Sequence, residues 1–323
     1  MAARKTSRQA SPGTAGRRIA VLVPCYNEEV AIGQVVAAFK KALPGAAIHV
    51  YDNNSTDGTF EAAKRAGAIV GREMLQGKGH VVRRMFADVE AGVYVLVDGD
   101  ATYDAPSAPK MIARLVEENL DMVVGCRVDR REDAYRRGHR SGNRMLTGFI
   151  NKTFGGKFSD ILSGYRVFSR RFVKSFPALS GGFEIETELT VHALELGMPV
   201  EEINTPYFSR PEGSESKLNT WRDGFRILWT ILKLWRAERP LFFFGAIGVV
   251  EGAVAVILAE PVVATYLRTG AVPRLPTAVL ATGLMVLAVI AVASGLILDT
   301  VTRGRREMKR LSYLEHGSPR AER

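Results

Sequence analysis

Only two cysteines occur in 323 residues, Cys25 and Cys126. Each ends an apolar run, and neither has a second ligand at metal-binding spacing. No disulfide framework can be read from them, which fits a reducing compartment. The five histidines, at 49, 80, 139, 192 and 316, include no metal-binding pair. No Gly-x-Gly-x-x-Gly follows the first apolar run, which disfavours a dinucleotide-dependent oxidoreductase. Acid is missing from residues 1–18, where Arg4, Lys5, Arg8, Arg17 and Arg18 stand among Ser, Gly and Ala. This stretch also lacks the apolar core of a signal peptide and reads as a disordered basic tail. Charge is nearly missing from 241–260 and 275–298, which hold only Glu251 and Glu260 in 44 positions.

Those two stretches are each long enough to cross ~30 Å of hydrocarbon at ~1.5 Å per helical residue. The mean hydropathy of 0.00 therefore averages a polar domain and an apolar hairpin. The net charge of +10 sits mostly in the tails: five positive charges in residues 1–18 and a net four in 303–323. Basic residues beside membrane spans meet anionic lipid, so membrane lipid rather than nucleic acid is the expected partner of this charge. The loop between the spans carries Arg268 and Arg274, whereas 303–310 carries Arg303, Arg305, Arg306, Lys309 and Arg310. The positive-inside rule then places both hairpin ends, and the large domain, in the cytoplasm. Glu251 in mid-span needs a partner or water. Just before the hairpin, Trp221, Trp229 and Trp235 form a helical stripe with Phe225, Leu228 and Leu232. Such a stripe next to a span reads as an amphipathic helix in the membrane interface, over 218–239.

From Ile19 onward, apolar runs alternate with helical stretches. The runs are Ile19–Val23, Ile48–Tyr51, Ala68–Val70, Val93–Val97 and Met122–Val124, with Val200–Phe208 later. This order predicts an α/β domain with a parallel sheet covered on both faces. Ligands bind such sheets outside the strands' carboxyl ends. Those ends carry Glu28, Asp52, Asp98, Asp100 and Arg127. Two carboxylates one residue apart, Asp98 and Asp100, can share a hard cation. Mg²⁺ or Mn²⁺ takes one or two protein carboxylates and completes its shell with substrate phosphates. Such a cation would neutralise a departing diphosphate, which suggests a nucleotide-diphosphate substrate.

The run Val23-Pro24-Cys25-Tyr26-Asn27-Glu28-Glu29 resembles the opening motif of glycosyltransferase family 2. Tyr51-Asp52-Asn53-Asn54-Ser55-Thr56-Asp57-Gly58-Thr59 resembles its second motif, and Asp98-Gly99-Asp100 its metal-binding motif. Gly77-Lys78-Gly79, Asp160–Arg166 and Ser216-Lys217-Leu218 are similar to the polyprenyl-phosphate hexose synthases, the group of dolichyl-phosphate mannose synthase. The resemblance spans roughly 19–220. It implies a GT-A fold, Rossmann-like with a mostly parallel sheet flanked by helices. It also implies inverting transfer of a hexose from UDP- or GDP-hexose to a polyprenyl phosphate, in cell envelope glycan biosynthesis. By position, Pro24, Tyr26, Glu28 and Asp52 would hold the nucleoside. Gly77 and Gly79 would let backbone approach the nucleotide, with Lys78 nearby. Asp98 and Asp100 would hold Mg²⁺ or Mn²⁺, and Arg127, Arg166, Arg210 and Lys217 would surround the phosphates. Asp160 would orient the acceptor or arrange Arg166. Asn53 stands where many members have a second Asp, and Thr102 where mannose synthases often have Gln.

A lipid phosphate is ionised at neutral pH and attacks without a base, and no histidine is placed as one. The Arg-rich 127–144 segment is a plausible anion cradle. The rivals are a same-fold transferase glycosylating a lipid hydroxyl and a non-catalytic membrane scaffold that binds nucleotide sugar. The intact acid pair weighs against the scaffold. The Gln-x-x-Arg-Trp motif of processive members is missing. The expected layout is a tail at 1–18, a catalytic domain at 19–217, the interfacial helix at 218–239, a transmembrane hairpin at 240–299 that offers a surface for homo-oligomers, and a basic cytoplasmic tail at 300–323. The protein is expected in the cytoplasmic membrane.

Overall fold

The computed structural model describes residues 18–129, 137–182, 184–210, 229 and 232–320. The chain divides into two units, one of residues 1–224 with 309–323, the other of residues 225–308.

The first unit is built on a seven-stranded sheet. Its strands are β1 (Ile19–Cys25), β2 (Ala47–Asp52), β3 (Ile69–Arg72), β4 (Val93–Leu96), β5 (Met122–Asp129), β6 (Arg166–Ser169) and β7 (Val200–Tyr207). The spatial order is β3-β2-β1-β4-β6-β5-β7. All pairings are parallel except those of β6, which runs against both β4 and β5. Arg166, the first residue of β6, pairs with Leu96, the last residue of β4, and with Val124 of β5. The chain therefore enters β6 from the ligand-binding edge. Apolar periodicity does not reveal strand direction; the sheet is mostly parallel as expected, and β6 is its antiparallel member.

The helices of this unit are α1 (Glu29–Ala42), α2 (Thr59–Arg65), α3 (Lys78–Asp88), α4 (Ala108–Glu117), α5 (Arg137–Phe154), α6 (Arg170–Ser175) and α7 (Ile185–Leu196). In α1, Ala31, Ile32, Val35, Val36 and Phe39 are buried, a stripe at helical spacing. Strand alternation sorts the two cores. Val93, Val95 and Val167 face α1 and α4 in one cluster with Ile32, Phe39, Met111 and Leu115. Tyr94 and Phe168 turn the other way, onto Phe86 of α3, and Phe168 stacks on Phe172 of α6.

Residues 309–320 belong to this unit by their contacts. Lys309 Nζ lies 2.9 Å from Glu195, whose side chain is 1% exposed. Tyr313 donates to buried Asp121 at 2.9 Å, and the Arg171 guanidinium sits 4.8 Å above the Tyr313 ring.

Among its described residues, which are also helical over 232–238, the second unit holds two long helices: α8 (Pro240–Thr269) and most of α9 (Leu275–Leu314), which continues beyond the expected span. Both are long and apolar enough to cross a membrane. Apart from Pro240 at the start of α8, their buried positions recur every seven residues: Gly248, Ala255 and Val262 in α8, and Ala281, Ala288, Gly295 and Thr302 in α9. A seven-residue repeat of small residues is the seam of a closely packed left-handed helix pair. A Cβ on Gly248 would lie 2.8 Å from the Ala288 carbonyl oxygen, and one on Gly295 3.3 Å from the Leu241 Cα. Glu251 Oε2 is buried in this unit with no hydrogen-bond partner among the described residues. Arg305 and Arg306 donate to the carbonyls of Ala237 and Glu238 at 2.9 and 2.7 Å. Part of the basic flank is thus engaged with the protein itself.

Gly248→Leu should force this seam apart and lower stability by ~1–3 kcal/mol, as overpacking does. Thermal unfolding of the detergent-solubilised chain measures it. Unchanged melting would show that the seam tolerates bulk and is not a close backbone contact.

Candidate active site

The acid pair lies in the turn after β4, against the end of β1. Gly99 is required between the acids because a Cβ there would sit 2.4 Å from Cys25 Sγ. Gly164 is required for a similar reason, since its Cβ would lie 2.5 Å from Asp98 Oδ2. The Asp160–Arg166 run therefore passes directly beside Asp98. The Cys25 thiol is pushed well above its usual pKa, by burial first and then by the carboxylates of Glu28, Asp98, Asp52 and Asp100. Four acids from three sequence motifs thus surround the end of β1 closely enough to act on one thiol.

Each acid of the pair has a cationic neighbour. Lys78 Nζ bridges Asp98 and Glu186. Burial alone would lower its pKa, but the two carboxylates outweigh burial and raise it. Arg210 donates to Asp100 Oδ2 at 2.8 Å and lies 3.8 Å from Glu28. Thr102 Oγ1 donates to Asp100 Oδ1 at 2.6 Å. Burial and the charge of Asp98 raise the pKa of Asp100, so the two acids repel and favour a cation between them. Among the described residues no cluster of three or more His, Cys, Asp or Glu offers a metal cage. Two hard oxygen donors fit Mg²⁺ or Mn²⁺ that completes its shell with phosphate oxygens. Thr102, where mannose synthases often have Gln, orients Asp100 through its hydroxyl.

The first two motifs interlock at the ends of β1 and β2. Pro24 pairs with Tyr51 and Cys25 with Asp52 in the sheet, and Tyr26 follows at the strand end. The backbone N–H of Glu28 donates to Thr59 Oγ1 at 2.8 Å, and Gly58 N–H donates to Glu29 at 2.9 Å. Glu28 precedes α1 without capping it through its side chain, leaving the carboxylate on the Arg210 side. Asp52 is buried, with Ser55 N–H 3.3 Å away. Asn53 gives both amide protons to the carbonyls of Glu73 and Leu75 and accepts from Gly77 N–H at 2.6 Å. An Asp here could not donate to those carbonyls. The Asn in place of Asp has a structural reason, holding the loop that delivers Lys78.

Three of the expected site positions have their partners within the chain. The backbone close to Gly77 and Gly79 is that of the chain itself: a Cβ on either would fall 2.1 and 2.0 Å from the carbonyl oxygens of Gly181 and Ser180. Glu188 fixes that segment by accepting from Leu179 and Ser180 N–H at 2.8 and 2.7 Å. Arg166 is 0% exposed, with its guanidinium enclosed by the chain. It donates to the carbonyls of Ser163 and Ile161 and to Thr190, locking the loop beside Asp98. Asp160 does not arrange Arg166; it forms a two-pronged pair with Arg127, both bonds 2.8 Å, and accepts from Asn143 at 3.1 Å. Burial alone would raise its pKa, but the hydrogen bonds and charge of Arg127, with the Asn143 bond, lower it. Lys217, most of the 218–239 stripe and residues 130–136 lie outside the described residues.

Two site residues were not legible in the sequence. Glu186 stands among three acids of one helix start, and only the fold shows that it meets Lys78. Glu202 on β7 accepts from Ser159 N–H at 2.9 Å and Asp160 N–H at 3.2 Å, setting the position of Asp160. Period-two alternation marked Glu202 only as a strand residue.

The sequence model described as Glycosyl transferase family 2 matches residues 20–176. Glycosyltransferase AglJ of Haloferax volcanii is 35% identical over 302 residues, 92% of this chain and 98% of its own length. A dolichyl-phosphate hexose transferase of the same organism is 29% identical, over 68% of this chain and 95% of its own. Glucosyl-3-phosphoglycerate synthase of Mycobacterium tuberculosis shares the fold, with a TM-score of 0.57 at 22% identity over 68% of this chain and 81% of its own. That enzyme has also been solved in complex with Mn²⁺, UDP and phosphoglyceric acid.

Proposed function

Because this chain belongs to glycosyl transferase family 2, we propose that it moves a hexose, with inversion, from a nucleotide-diphosphate sugar to a polyprenyl phosphate. The observation that carries the acceptor is the state of Asp160. This acceptor-side carboxylate is bonded through both oxygens to Arg127 and accepts a further bond from Asn143, which keeps it ionised and committed. A hydroxyl acceptor needs a base to take its proton. A lipid phosphate needs none. One of its oxygens attacks the anomeric carbon, the bond from that carbon to the diphosphate breaks, and no proton moves. The relative named dolichyl-phosphate hexose transferase supports the same acceptor class.

The residues divide the work accordingly. Glu28 and Asp52 face the nucleoside, where carboxylates accept from ribose hydroxyls and a base N–H. Asp98 and Asp100 hold Mg²⁺ or Mn²⁺, and bound there it supplies positive charge to the departing diphosphate. Lys78 and Arg210 stand beside those acids and complement the same charge. Arg127, its guanidinium fixed by Asp160, offers charge to the attacking phosphate. Catalysis is then positioning and electrostatic stabilisation. The two apolar helices and the Arg/Lys excess after them support a cytoplasmic-membrane location with the catalytic unit in the cytoplasm.

Incubating the full chain with labelled UDP- or GDP-hexoses and either polyprenyl phosphate or free polyprenol tests this. Product should form with the phosphate only, as a phosphodiester cleaved by mild acid at its anomeric bond. Equal transfer to the free alcohol would revive the hydroxyl acceptor.

A further inference from the structure

We propose that Glu186 is a positioning residue of the acid pair, taking up the charge of Lys78 so that Asp98 remains available to a divalent cation. The inference rests on the reading of Asp98 and Asp100 as the carboxylates that hold that cation.

Lys78 leads α3 into the site, and its ammonium touches two carboxylates, Asp98 and Glu186. The Lys78 and Glu186 side chains are 10% and 6% exposed, so neither has much water to fall back on. An ammonium in such a place holds strongly to whatever anion it has. With Asp98 as its single partner, it would compete directly with a metal for that carboxylate. Glu186 gives it a second partner, on a helix fixed by the bonds from Arg166 to Thr190 and from Thr190 to the Glu186 carbonyl. Losing Glu186 would also take one negative charge from the Lys78 side of the acid pair, leaving the ammonium to Asp98.

Mn²⁺ binding to the detergent-solubilised full chain, followed by electron paramagnetic resonance with UDP or GDP present, tests this. Glu186→Gln should weaken Mn²⁺ binding by roughly tenfold or more, from the loss of one charge at short range. Adding Lys78→Met in the same chain restores the local charge and removes the competitor, so binding should return towards the parent value. A purely structural Glu186 would not be rescued by removal of Lys78. Unchanged Mn²⁺ affinity in Glu186→Gln, or no recovery in the double variant, would overturn the inference. If the parent chain bound no Mn²⁺ with either nucleotide, the metal assignment itself would fall, and the inference with it.

Discussion

Asp100→Asn is expected to abolish transfer while leaving the fold intact. Asp100 sits in a buried pocket beside Asp98, and burial together with that neighbour raises its pKa. Its charge is therefore unfavourable to the folded chain and kept for binding. Asn retains an oxygen for Thr102, which meets Oδ1, and loses the Oδ2 that Arg210 meets, a loss set against relief of the like charge of Asp98. Thermal stability should hold or rise slightly, because a like-charge contact is relieved. Transfer should fall by about a hundredfold or more, the scale of losing one element of leaving-group stabilisation. Excess chelator should reduce the parent to the same level, with recovery on adding Mg²⁺ or Mn²⁺. Full turnover in chelator would remove the metal from the mechanism. Loss of activity accompanied by a large drop in melting temperature would mean that Asp100 is structural.

Truncation after residue 308 should destabilise the catalytic unit itself, beyond releasing it from the membrane. A reading of the sequence alone takes the sheet as complete before Trp221 and expects a chain without 237–323 to bind nucleotide while transferring poorly to a membrane-borne acceptor. The fold instead returns residues 309–320 to the catalytic unit. Lys309 meets Glu195, Tyr313 meets Asp121 and Arg171, and Arg320 donates to the Val116 carbonyl at 3.4 Å. Taking one member from a buried ion pair costs ~3–5 kcal/mol, and a hydrogen bond to a charged group ~1.5–3 kcal/mol. Lys309→Met in the full chain isolates the first of these and leaves the membrane segments untouched. At ~2–4 °C per kcal/mol for a domain of about 200 residues, it should lower the melting temperature by ~10 °C. Glu195→Gln added to Lys309→Met should recover part of that loss, since the remaining partner then carries no charge. Melting of Lys309→Met at the parent temperature would show that the tail rests on the unit without holding it.

The two long apolar helices and the strand–helix alternation follow from the sequence by itself. Each is a local statement, about how many successive residues avoid water or how often an apolar side chain recurs. The acid pair Asp98 and Asp100 was legible for the same reason, because two carboxylates at a strand end carry their chemistry in their spacing. The three-dimensional fold alone decided which charges face one another. Arg166 and Arg127 are alike in the sequence, yet the reversal of β6 buries the first among carbonyls while β5 presents the second to Asp160. Glu186 and Glu188 are two residues apart, yet one turns to Lys78 and the other to the backbone of Leu179 and Ser180. Gly77 and Gly79 read as room for a ligand, but the space belongs to Ser180 and Gly181, a hundred positions further on. Local periodicity reports exposure to solvent. A charge's partner depends on long-range chain crossings, and desolvation makes that partner decide whether the residue binds substrate or holds the fold.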